Sequence, residues 1–286
     1  MAILFALLTA LANAFAVTAQ HIASTTRRET TTTWRLVMAL ARHPLWLLGW
    51  VAMAGSLVFQ ALALHFGPLS LVQPFLVSEL LMALVARRLW LRQRIRAITW
   101  WSAALAGAGL IVFLITTAPS EGPTGPSALA WRAGVLGCVL ATGGLVVGAR
   151  RGSPSRRAGL FASATAIMWA LEATFIKATT ATLVDHGVVA MFAHWPIYAL
   201  VVGGVIGLLC EQAALHVGPL KVSQPLIVIV DPLVSVALGV GLYREHLQGG
   251  VARTVLATLA FAAMCAGVVA LTRSAPPTMQ ADIPHL

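Results

Sequence analysis

Nine stretches of this chain are apolar over about the length a helix needs to cross a bilayer, and that succession constrains the fold more than any other feature. A helix spanning the ~30 Å hydrocarbon layer takes roughly 20 apolar residues. The stretches run over residues 2–22, 45–64, 69–86, 97–117, 129–149, 158–179, 190–213, 220–242 and 252–272. With 59% hydrophobic and 10% charged residues in 286 positions, the balance is far from that of a soluble domain. The expected fold is all-α: a polytopic membrane protein of about nine transmembrane helices. The first stretch lacks the basic leader of a secretory signal and carries Asn13, Thr18 and Gln20, so it is expected to stay as the first span.

A net charge of +10 in a soluble chain suggests nucleic acid, but here the placement of the charges gives a better reason. Along alternating loops, Arg27, Arg28, Arg35, Arg42, Arg87, Arg88, Arg92, Arg94, Arg96, Arg150, Arg151, Arg156, Arg157, Lys221 and Arg273 fall on one face. Only Arg132, Lys177, Arg244 and Arg253 fall on the other. That bias predicts an N-terminus outside and a C-terminus in the cytoplasm, in the cell membrane. The same arginines suit anionic lipid. The lipid bilayer is thus the expected partner, and no nucleic acid is.

Half of the protein reads as a copy of the other half. Ala63-Leu64-His65-Phe66-Gly67-Pro68-Leu69, followed by Gln73-Pro74, returns 151 residues later as Ala214-Leu215-His216-Val217-Gly218-Pro219-Leu220, followed by Gln224-Pro225. From Phe59 to Pro74 the two copies agree at eight of sixteen positions. Spans 1–4 pair with spans 6–9, and span 5 links them. Partners five spans apart cross in opposite directions, so the expected architecture is an inverted repeat, as in alternating-access carriers. The corresponding division is 1–118 for the first repeat, 119–157 for the linking helix and loops, 158–273 for the second repeat and 274–286 for a disordered cytoplasmic tail. Residues 34–42 suit a short amphipathic surface helix.

Small residues at Gly203 and Gly207, at Gly144 and Gly148, and along Ala106-Gly107-Ala108-Gly109 predict close helix approach. Trp34, Trp46, Trp90, Trp100, Trp101, Trp131 and Trp195 cluster near span ends as interfacial anchors, whereas Trp169 lies deeper. Cys138, Cys210 and Cys265 show no paired spacing and read as small packing residues. The histidines have no metal-ligand spacing, and no phosphate loop, nucleophile elbow or His-Glu-x-x-His motif occurs, so no enzymatic activity and no cofactor are expected.

Four carboxylates fall inside spans: Glu79, Glu172, Glu211 and Asp231. Each costs about 2.5–3.5 kcal/mol or more at the bilayer centre, so none should face lipid. Glu79 and Asp231 lie near the middle of their spans and one position apart in the repeat, which makes them the first candidates for substrate or coupling-ion contact. Either one also fits a packing acid hydrogen-bonded to a neighbour. Pro232 removes a backbone donor beside Asp231. Gln73 and Gln224, each followed by proline, fit either a substrate contact or a paired kink. Asn13, Trp169 and Glu172 complete the candidate route, and Lys177 reads as an outer-interface lysine that snorkels.

The chain resembles the drug/metabolite transporter superfamily. The best marker is Asp231-Pro232-Leu233-Val234-Ser235-Val236-Ala237-Leu238-Gly239 followed by Tyr243-Arg244-Glu245-His246-Leu247, similar to that superfamily's proline-containing helix and Gly-Glu-x-Leu-like turn, with Arg244 where Gly is usual. The Gly-Pro-Leu turns with their following Gln-Pro look like the NIPA-type magnesium-transporter branch and its bacterial relatives, within a broadly EamA-like group. The ten-helix members have a further span near residues 30–45, where this chain is short and charged. The resemblance implies a secondary carrier of a small metabolite or drug-like solute, proton-coupled or exchange-driven. Its alternative is Mg²⁺ transport with Glu79 and Asp231 as ligands, since that ion binds through one or two carboxylates and keeps several waters. A non-transporting accessory protein and an intramembrane enzyme stand as readings of a different class. The partners expected beyond lipid are a small-molecule or cation substrate and a second copy of the chain in a homodimer.

Overall fold

A computed structural model describes residues 1–25, 44–90, 95–122 and 125–274. They form α1 (Ala2–Thr25), α2 (Pro44–Phe66), α3 (Leu69–Leu76), α4 (Ser78–Trp90), α5 (Ala97–Thr117), α6 (Ala128–Gly148), α7 (Pro154–Ala193), α8 (Pro196–Val217), α9 (Leu220–Tyr243) and α10 (Val251–Ser274). Among the described residues nine helical segments are long and apolar enough to cross a membrane, α3 and α4 counting together as one. The chain is a helical multi-pass membrane protein in composition and in form. The surface helix expected over 34–42 and the tail from 275 lie outside the described residues.

Two spans differ from expectation. The third breaks at Val77, three residues after Pro74, whereas α9 runs unbroken through Pro225 and Pro232. Val77 and its repeat counterpart Val228 are the same residue, so the local sequence does not dictate the break. The sixth span was expected to end at 179, but α7 continues to Gly187, whose φ of 82° interrupts it, and then to Ala193. No proline or glycine stands between Gly159 and Gly187 to stop it earlier. The seventh span accordingly begins at Pro196 rather than 190, with that proline in the first turn where its missing N–H costs nothing.

The chain divides into two compact units, residues 1–63 with 75–94, and residues 64–74 with 95–286. In the first, α1 packs against α4. In the second, α7 is central and packs against α6, α8 and α9, while α5 lies along α10. By packing, the fourth span thus groups with the ninth, across the boundary of the sequence repeat.

The interior of α7 is made of alanines, with Ala158, Ala162, Ala164, Ala166 and Ala170 fully buried. Two of its buried hydroxyls are satisfied within the helix: Thr165 donates to Phe161 O at 3.0 Å and Thr174 to Leu171 O at 2.6 Å. In α8, Gly203 and Gly207 turn toward Met168 and Phe175 while Val201, Val202, Val205 and Leu209 face outward, as a lipid-facing helix requires.

The α5–α10 pair is antiparallel, with Thr99 Oγ1 near Ser274 O at 3.4 Å at one end and Gln248 N donating to Thr117 O at 2.7 Å at the other. Its closeness rests on glycine. A Cβ on Gly109 would come 2.5 Å from Met264 N, and one on Gly267 would meet the Ala106 backbone. Gly267→Val is expected to cost about 1–3 kcal/mol by overpacking. Gly144→Val should be silent, because Gly144, contrary to expectation, has nothing within 4 Å. Thermal unfolding of the two purified variants in detergent checks both.

Candidate functional site

In the first unit, two residues singled out by sequence meet. Asn13 Nδ2 on α1 donates to Glu79 Oε2 at 3.1 Å. Glu79 is not mid-helix as expected. The break at Val77 makes it the second residue of α4, where a carboxylate faces the positive end of the helix dipole. The arrangement serves a carboxylate well in a medium that offers it no water.

In the second unit, Glu172 on α7 and Asp231 on α9 stand on two helices that pack against one another. Asp231 Oδ1 accepts from Ser235 Oγ at 3.0 Å, one turn along α9. Among the described residues, the buried Glu172 Oε2 has no hydrogen-bond partner. Gly204 of α8 leaves room for this carboxylate, since a Cβ there would lie 3.1 Å from Glu172 Oε1. A buried carboxylate acceptor without a donor is expensive unless something supplies a proton or a positive charge. Pro232 adds an interruption in the backbone donors next to Asp231.

The remaining candidates are more scattered. Gln73 is buried on α3, and its Nε2 has no partner. Gln224 lies in the first turns of α9 and is only partly buried. The two glutamines of the repeat therefore have different surroundings. Trp169 packs on α8 at Gly207. Glu211 stands six residues before the end of α8. Among the described residues no three His, Cys, Asp or Glu side chains converge as a metal cage.

Sequence reasoning missed a third cluster, at the opposite end of α7 from its Pro154 start. Lys177 does not snorkel: its Nζ donates to Gly67 O at 2.8 Å and to Glu121 Oε1 at 3.1 Å, and lies 3.7 Å from Glu245 Oε1. It sits 5.2 Å over the Tyr243 ring, whose hydroxyl donates to Thr174 O at 2.8 Å. Glu245, 3% exposed, accepts from Leu69 N at 2.6 Å, from Ser70 N at 2.9 Å and from the Ser70 hydroxyl, so it caps α3. Gly239 permits this, because a Cβ there would collide with Glu245 Oε2. Trp131, expected as a lipid-interface anchor, instead stacks on Phe175 at 5.8 Å and meets Trp195 and Tyr243 edge-on.

The turn that delivers Glu245 was visible in the sequence, although its target was not. Arg244 ends α9 with φ 52° and ψ 36°, a left-handed conformation that glycine adopts freely. The Arg244 side chain is exposed, so Arg244→Gly should relieve backbone strain and raise stability by about 1 kcal/mol. A higher unfolding midpoint in detergent is the expected reading.

Over 278 residues, 96% of this chain and 95% of the relative, the sequence is 25% identical to an uncharacterized protein of Corynebacterium glutamicum. No family model matches the chain, and no solved structure matches it. The similarity runs nearly end to end along both chains.

Proposed function

We propose that this protein is a secondary active transporter, related to the drug/metabolite transporter superfamily, that moves a small metabolite or drug-like solute by alternating access. The observation that carries the reading is that the packed spans α7 and α9 carry the acids Glu172 and Asp231, the former with a buried oxygen that lacks any partner among the described residues. Intramembrane acids are rare because they are costly, and where they occur they mark substrate, ion or proton routes. The Asn13–Glu79 contact supplies a third such acid, from the other repeat. The duplication at an offset of 151 residues supports two inverted halves around one route. The arginine bias supports an N-terminus outside and a C-terminus in the cytoplasm of the cell membrane.

The same pair favours one other cargo. Two acids on packed helices, one with a buried oxygen that has no partner among the described residues, also suit Mg²⁺ that keeps part of its water shell.

Reconstitution in liposomes holding a Mg²⁺ dye and a pH dye separates the readings. Wild type and Asp231→Asn are compared under imposed Mg²⁺ and proton gradients. Mg²⁺ entering only with wild type establishes the cation reading and ends the metabolite one. No Mg²⁺ entry, with a proton signal appearing only when a particular organic solute is added, establishes the metabolite carrier. Equal behaviour of both proteins in every condition, metabolite screen included, rejects transport through this pair.

A further inference from the structure

The cluster around Lys177 borders a cavity of about 360 Å³ in the second unit, lined among others by Glu121, Trp131, Lys177, Ala181 and Tyr243. Its parts are held with unequal firmness. Lys177 is 13% exposed and fixed by the Gly67 carbonyl and by Glu245, whose oxygens are both committed to the start of α3. Tyr243 is fixed through Thr174, and Trp131 by three aromatic neighbours. Glu121 differs: it is 54% exposed, and the only protein partner its carboxylate has among the described residues is Lys177. An ion pair with one exposed partner adds little stability, so this carboxylate exchanges readily.

We propose that the cavity is a binding site for a small organic carboxylate. The carboxylate of the ligand takes the place of Glu121 on Lys177 Nζ, and its apolar body lies against Trp131. Charge decides the ligand class. Lys177 and Glu245 neutralise each other, so one monoanion replacing the Glu121 carboxylate leaves the local balance unchanged. A multiply charged phosphate meets a single available ammonium with Glu245 3.7 Å from it, and is disfavoured. A volume of this order sits at the small end of ligand pockets and accommodates a one-ring acid. Glu121 is thus an internal stand-in for the ligand. The site differs from the Glu172–Asp231 pair and requires no transport.

Equilibrium dialysis of radiolabelled benzoate against the purified full chain in detergent tests this. Glu121→Gln removes the competitor and is expected to tighten benzoate binding about two- to fivefold. Lys177→Gln is expected to abolish specific uptake, and inorganic phosphate is expected not to compete. The gain in Glu121→Gln is the decisive reading, since a folding defect lowers binding and does not raise it. Equal uptake by wild type and both variants means partition into the micelle and overturns the proposal, as does absence of binding in Glu121→Gln. Because no gradient is applied, failure here leaves the flux result of Asp231→Asn standing on its own.

Discussion

Glu245→Ala is expected to destabilise the protein by about 3 kcal/mol or more, one of the largest effects of any single side chain outside the spans. Three losses coincide. Lys177 keeps its charge with 13% exposure and loses its buried acid. The N–H groups of Leu69 and Ser70 lose their acceptor at the start of α3. The Ser70 hydroxyl, fully buried, is stranded with them. An unsatisfied buried donor costs about 1–3 kcal/mol, and the contributions overlap because one carboxylate serves them all. Glu121→Gln, on the same lysine, should stay within about 0.5 kcal/mol because Glu121 is largely in water. Pairing Glu245→Gln with Lys177→Met should recover part of the loss, since it removes the stranded charge along with its partner. Unfolding midpoints of the four proteins in one detergent give the comparison, and equal losses from Glu121→Gln and Glu245→Ala would contradict the unequal roles described for them.

The second large effect concerns flux. Glu172→Gln and Asp231→Asn are each expected to lower transport on the order of 10- to 100-fold, the loss of one contact between a charged group and its ligand or proton. Folding should be preserved, because an amide fills the same space and an unpartnered Glu172 oxygen gives up no protein bond on substitution. The double variant should be little worse than either single one if the two acids share one ion or proton. Flux in proteoliposomes, normalised to monodisperse protein, is the measurement. Additive losses would mean that the acids act separately.

The spans were legible because lipid demands about 20 apolar residues in register, a local property of sequence. Where the structure departs, the cause is not local. Val77 breaks a helix and Val228, its counterpart, does not, although both follow Gln-Pro by the same number of residues. The end of the sixth span was misplaced because hydropathy falls around Lys177 and Asp185 while the backbone has no reason to leave the helix before Gly187. Asn13, Glu79, Glu172 and Asp231 could be selected because a polar residue in an apolar run is conspicuous, but which of them meet is set by packing. Lys177 was misread for the opposite reason. A lone lysine near a span end normally reaches for water, and its partner lies 68 positions later in a segment that reads as a turn. The one available signal was Glu245 placed directly after a helix end in the motif, an acid in a position that few turns require.

The length of α7 has a mechanical consequence. From Pro154 to His186 it is uninterrupted, a rod of roughly 50 Å at 1.5 Å per residue, against ~30 Å of hydrocarbon. Modest tilt does not absorb that excess, so the rod ends well into the headgroup region or past it. It carries the Glu172 carboxylate partway along and the Lys177 ammonium nearer its far end. A rod of this size is a lever: rocking by about 5° at the Arg156 end moves the level of Lys177, 21 residues along, by roughly 3 Å. That arc is comparable to the whole reach of an ammonium–carboxylate contact, so a motion too small to reorder the alanine-packed interior is sufficient to make or break the contacts of Lys177.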